Sequence, residues 1–333
     1  MKFHHSLSSR ESFEMSVTKS RLYIFDFIRA AAVLSVILGH YLIHHSPYGV
    51  NTVLGRLAPI GVGMFFFISG YLIFMTITKS TTKSFLWHRY FRIVPTLVAG
   101  IALLAIFNSV FSIKSFLLGV FFIGDAFQEM GVFGIDMWTL HTETRFYLLV
   151  ALIYPLIIKG YSQSRLRLFI AYEASVAIIL SLIFILNNKH PGFHAFDSKW
   201  NILCILYLLF GVMYYLYENK SFGLPTLLVV MTVNAITILA AKVLTFGYTF
   251  PRACMDNYLL GCLLCIGLIV IKDKIPNLKI ITLIAFISYP LYIIHHPIIY
   301  KWGLSGVPFM IVAAYLISFF IEHPIVKWSK KNF

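Results

Sequence analysis

The chain has 333 residues, 59% of them hydrophobic and only 12% charged, with a mean hydropathy of +0.83. Soluble domains carry about 25% charged residues, so this composition excludes an ordinary soluble enzyme and indicates a polytopic membrane protein. The net charge of +14 does not point to nucleic acid, because the basic residues lie between apolar runs, where they read as topology signals or anion sites.

Residues 1–21 are polar and mixed, with neither the apolar core nor the small-residue cleavage site of a signal peptide. They are expected to form a mobile cytoplasmic tail ahead of an uncleaved first span. A span needs about 20 mostly apolar residues. Ten runs meet that need: 22–44, 60–78, 93–111, 138–158, 168–186, 200–217, 224–241, 255–271, 280–300 and 307–326. They predict an all-α fold of about ten transmembrane helices, with one membrane domain over 22–326 and a second tail at 327–333. The run 113–124 is too short to span and is expected to be re-entrant or interfacial. Of the 27 Lys and Arg, 18 fall on one side of this topology and 7 on the other, with Arg29 and Arg145 inside spans. That asymmetry puts both termini in the cytoplasm.

The first span carries three costly groups. Asp26 and Arg29 are at i and i+3 and can pair. Arg29 and His40 are eleven residues apart, which returns to nearly the same helix face about 16 Å along the axis. Three ionisable side chains on one stripe predict a polar interior channel. Next come Gly61, Gly63, Ser69 and Gly70, which suit close helix packing. Arg89 and Arg92 share a face just before the third span; paired arginines suit phosphate, although alone they also read as positive-inside residues. In the fourth span Glu143 lies at a depth similar to that of His40, and a carboxylate facing a histidine is a general-base arrangement. Cys262 and Cys265, inside an apolar run, read as small packing residues, and no metal-ligand spacing occurs. The ninth span holds Tyr289, His295 and His296, and the last holds Glu322 near the inner face.

Four blocks, in order, carry a family likeness: FDFIRAAAVLSVILGH, GVGMFFFISGYLI with FLWHRYFRIVP, WTLHTETRFYLL, and ISYPLYIIHHPI, with EHP closing. The chain resembles membrane acyltransferase family three, which includes bacterial O-antigen, exopolysaccharide and Nod-factor O-acetyltransferases. The resemblance implies transfer of an acyl group, usually acetyl from acetyl-CoA, to a sugar hydroxyl at the outer face of the bacterial cytoplasmic (inner) membrane. It singles out Arg29, His40, Arg89, Arg92 and Glu143, and less specifically Tyr289 and His295. The third block often has two adjacent acidic residues; here Thr144 takes the second place, leaving Glu143 alone in any carboxylate role.

The expected mechanism follows. Arg89 and Arg92 bind the coenzyme phosphates at the cytoplasmic mouth, and Arg29, fixed by Asp26, holds the donor arm. His40, supported by Glu143, takes the proton of the acceptor hydroxyl; an acetyl-histidine route is also open. Tyr289 and His295 support the site. Acetyl-CoA is a donor substrate, no resident cofactor or metal is expected, and the acceptor is a surface polysaccharide or its lipid-linked precursor. The alternatives are a secondary transporter of a lipid-linked or small anionic solute and a non-catalytic assembly subunit.

Overall fold

The computed structural model describes residues 4–45, 54–108, 112–122, 131–132, 135–136, 138–157, 201–246 and 254–333, and singly 178, 179, 182 and 186. The expected fifth span, 168–186, falls almost wholly outside the described residues.

Eleven helices are numbered here: α1 (His4–His45), α2 (Leu57–Ile77), α3 (Thr82–Asn108), α4 (Ile113–Val120), α5 (Trp138–Ile157), α6 (Asn201–Glu218), α7 (Leu224–Phe246), α8 (Cys254–Val270), α9 (Lys279–Trp302), α10 (Val307–Ile317) and α11 (His323–Asn332). A two-residue antiparallel pair, Gly131–Val132 with Ile135–Asp136, adds a small element that the all-helical expectation omitted. Two helices are longer than expected. The backbone of the polar N-terminal segment already follows α1 from His4, and α3 begins at Thr82, so Arg89 and Arg92 sit within a helix.

Among the described residues five stretches are long and apolar enough to cross a membrane: Tyr23–His45, Leu57–Ile77, Thr82–Ile106, Leu224–Ala241 and Lys279–Asn332. The last contains both the ninth and the tenth expected spans. Many large apolar side chains face outward: Val229 is 62% exposed, Ile236 60% and Phe320 66%. Such a surface is untenable in water but matches hydrocarbon. The protein is a multi-pass membrane protein. The two-turn α4, with Ile113 and Leu117 exposed, is too short to cross.

The central helix is α2, which packs on α1, α6 and α8. Glycine brings these backbones together. A Cβ on Gly70 of α2 would stand 1.8 Å from the Leu208 carbonyl oxygen of α6, and one on Gly211 of α6 would stand 2.0 Å from the Phe67 oxygen of α2. The glycines anticipated in the sequence thus serve close packing. Cys262 and Cys265 face the same helix, with Sγ 3.5 and 3.8 Å from the carbonyls of Gly63 and Met64. Both are buried and free.

α1 and α9 run parallel and are joined at both ends. At one, the Tyr23 hydroxyl donates to the Pro276 carbonyl (2.7 Å) and accepts from the Leu278 N–H (2.9 Å). At the other, His45 Nε2 donates to the Ile299 carbonyl (2.8 Å). Gly303 ends α9 with φ +58°, and its N–H returns to the same carbonyl. That left-handed turn favours glycine. Pro290 lacks an N–H, so the Phe286 carbonyl one turn earlier loses its helical donor. The Ser318 hydroxyl supplies one at 3.2 Å, from a π turn (Ser318–Glu322) that interrupts the path from α10 to α11.

The buried side chains form two clusters. The larger centres on α2 and α6, with Phe67, Tyr71, Phe74 and Tyr207. The smaller joins α3, α9 and α10 through Leu97, Ile101, Ile294 and Met310. Phe65, Tyr289 and Tyr292 pack against both, and a cavity with a polar wall opens at that seam.

Candidate active site

Helices α1, α2, α3, α5 and α9 line this cavity. Its polar wall holds Arg29 from α1, Arg89 and Arg92 from α3, Glu143 and Tyr147 from α5, and Ser288, Tyr289 and Tyr292 from α9. Three guanidinium groups from two helices therefore meet inside an apolar bundle.

Each charge is held locally. Arg29 Nη1 lies 3.4 Å from Asp26 Oδ1, as the i, i+3 spacing predicted. Arg89 is only 9% exposed. Its Nη2 donates to Thr76 Oγ1 (2.7 Å) and to the Leu72 carbonyl (3.3 Å), and its guanidinium lies 5.5 Å from the ring centres of both Phe85 and Tyr147. Arg89 Nε is buried without a hydrogen-bond partner among the described residues. Glu143 Oε1 accepts the Tyr147 hydroxyl at 2.6 Å, one turn along α5. Tyr289 lines the cavity and donates to the Ile93 carbonyl of α3 at 3.2 Å.

His40 lies elsewhere. It is absent from the cavity wall and belongs to a histidine group where α1 meets α9. Its ring stacks on His295 with centroids 5.0 Å apart, and Nδ1 of His40 lies 3.1 Å from Nε2 of His295. Next to them, His44 Nε2 and His296 Nε2 lie 3.3 Å apart. No hydrogen bond joins His40 to Glu143 among the described residues, so the pairing expected from their similar depth is corrected. The cause is rotational. Residue counting gives height along a helix, but the face of α5 that carries Glu143 and Tyr147 turns toward Arg89, while His40 turns toward α9. Tyr292 links the two places: its side chain lines the cavity, its hydroxyl bonds Thr139 Oγ1 (2.8 Å), and its carbonyl holds His295 Nδ1 (2.6 Å).

Arg89 and Arg92, expected at the inner mouth of a channel, line the cavity beside Arg29. Sequence reasoning gave no role to Tyr147 or to Glu322. Tyr147 stands four residues after Glu143, a readable helical pairing. Glu322, in the π turn, lies near enough to Arg92 and Arg29 for their charges to act on it, and its Oε2 is buried without a hydrogen-bond partner among the described residues. Among those residues no group of three or more His, Cys, Asp or Glu has a metal-holding arrangement.

Such a site defines a helical membrane protein with an internal arginine-lined cavity and a separate imidazole cluster, a combination whose chemistry suits handling a phosphorylated substrate and moving a proton. The family pattern described as an acyltransferase domain, acyltransferase family three, matches residues 22–322. The chain belongs to that family and is a membrane acyltransferase. No curated protein and no solved structure matches it significantly.

Proposed function

We propose that the protein transfers acetyl from cytoplasmic acetyl-CoA to a sugar hydroxyl of a surface polysaccharide, such as O-antigen, or of its lipid-linked precursor, at the periplasmic face of the bacterial inner membrane. The observation that carries this reading is the meeting of Arg29, Arg89 and Arg92 in one buried cavity. Guanidinium groups are the strongest side-chain partners for phosphate, and the coenzyme is the donor whose phosphates such a cavity suits. The parallel sense of α1 and α9 accords with a first and a ninth outward span, and the 18 to 7 distribution of Lys and Arg with cytoplasmic termini.

The cavity holds about 90 Å³ of free volume, below the about 300–1,000 Å³ of a whole small-molecule site. The nucleotide therefore stays at the rim, and the pantetheine arm enters. Asp26 fixes Arg29, and Glu143 with Tyr147 balances and orients Arg89. His40 takes the proton of the acceptor hydroxyl, either as general base in direct attack or after forming an acetyl-histidine.

Membranes bearing the protein, supplied with acetyl-labelled acetyl-CoA and host surface polysaccharide, are expected to move label into the polysaccharide. Solute flux without label transfer would replace this reading with a transporter.

A further inference from the structure

Three ring nitrogens decide the state of His40. Nδ1 of His295 lies 2.6 Å from the Tyr292 carbonyl. A carbonyl only accepts, so this nitrogen carries a proton. His295 is 2% exposed, and both its nitrogens face uncharged partners, the carbonyl and His40. A buried cation without a counter-ion is strongly disfavoured, so the ring is neutral and its Nε2 is bare. The proton in the 3.1 Å contact between the rings therefore belongs to His40 Nδ1. A neutral His40 with its proton on Nδ1 has a bare Nε2.

We propose that His295 is a positioning residue that fixes His40 in the Nδ1–H tautomer, making Nε2 the atom that accepts the substrate proton. This rests on His40 as the base of the proposed reaction. In a catalytic triad a carboxylate orients the base; here a neutral histidine anchored on a backbone carbonyl does so, which explains why Glu143 is free to serve the arginine cavity. The rings of His44 and His296 meet His40 edge-on, with centroids 6.4 and 4.9 Å away.

In the reaction the hydroxyl proton passes to His40 Nε2 as the acceptor oxygen bonds to the thioester carbonyl carbon. The carbon–sulfur bond then breaks, and the leaving thiolate takes that proton, giving ester and free thiol. While His40 is charged, its Nδ1–H bond to His295 becomes charge-assisted and strengthens. His295 keeps its own Nδ1 proton throughout.

The test uses the full chain in lipid nanodiscs with nitrogen-15-labelled histidine, together with release of free thiol from acetyl-CoA in the presence of host polysaccharide. His40, assigned by loss of its signals in His40→Gln, is expected to show a protonated Nδ1 and a bare Nε2. His295→Leu should lower turnover by about 10- to 100-fold, within the range of acid–base catalysis, with the KM for acetyl-CoA unchanged. His295→Gln, whose amide oxygen can accept from His40 Nδ1, should recover part of the loss and keep the tautomer. A proton on His40 Nε2 in the intact protein overturns the proposal. So does full turnover of His295→Leu where His40→Ala is inactive, and that result leaves the base itself standing. Full turnover of His40→Ala overturns both the positioning role of His295 and the role of His40.

Discussion

Tyr147→Phe isolates one hydrogen bond in the arginine cavity. The substitution removes the hydroxyl that donates to Glu143 Oε1 at 2.6 Å. It keeps the ring, whose centre lies 5.5 Å from the Arg89 guanidinium, and so preserves both packing and the cation–π contact. A hydrogen bond to a charged acceptor contributes about 1.5–3 kcal/mol. If that bond is what holds Glu143 against the arginines in the working state, its loss lowers kcat/KM by about 10- to 100-fold. Glu143→Gln removes the charge from the same bond and should fall in the same range. Because both changes strike one interaction, the double variant should cost no more than the worse single one. The assay is thiol release from acetyl-CoA at saturating polysaccharide, with thermal unfolding in detergent as the control. Fully additive losses would show that Tyr147 and Glu143 act independently and would refute the coupling.

Other substitutions probe the rest of the structure. His40→Ala should abolish acyl transfer while leaving membrane protein level and melting temperature near normal, measured by immunoblot and thermal shift. Arg92→Ala should raise the KM for acetyl-CoA by about tenfold or more, a lost charge-assisted contact, and Arg92→Lys should recover only part, since an ammonium cannot form the planar fork; an unchanged coenzyme affinity would return Arg92 to a topology role. Gly70→Val should prevent stable assembly, because the added Cβ starts 1.8 Å from the Leu208 oxygen, whereas Gly267→Ala, with nothing within 4 Å, should be neutral or stabilising by up to about 1 kcal/mol, as read by detergent melting.

Much of this architecture was legible in the sequence because apolar runs near span length leave little freedom. The bounds of α5, α6, α8 and α9 lie within two residues of the expected runs. The Asp26–Arg29 pair and the shared face of Arg89 and Arg92 followed from helical periodicity. The start of α3 was not legible, because Lys83, His88 and the arginines resemble a polar loop, although long side chains are good helix formers. The Glu143 partnership was misread because depth comes from counting, while rotation about a helix axis depends on packing with every neighbour. His40 and His295 are 255 residues apart, so only the parallel docking of α1 on α9 could disclose their contact. The π turn at Ser318–Glu322 has no periodic signal of its own, and the freed Phe286 carbonyl that anchors it becomes meaningful only once Pro290 is placed within α9.

The double clasp between α1 and α9 makes a measuring rod. Between Arg29 and His40 α1 is an unbroken helix without proline, tied to α9 near Tyr23 and again at His45. Eleven residues at helical rise fix the two side chains about 16 Å apart along the axis. With an anion held at Arg29, the reactive carbonyl reaches His40 only if the donor has a spacer of matching length. A compact donor such as acetyl phosphate places its carbonyl beside its own anionic group and falls short, however tightly it binds. On the proposed reading of the site the donor would be selected by length as much as by charge, and any change that adds a helical turn between these two residues should rescale the acceptable spacer.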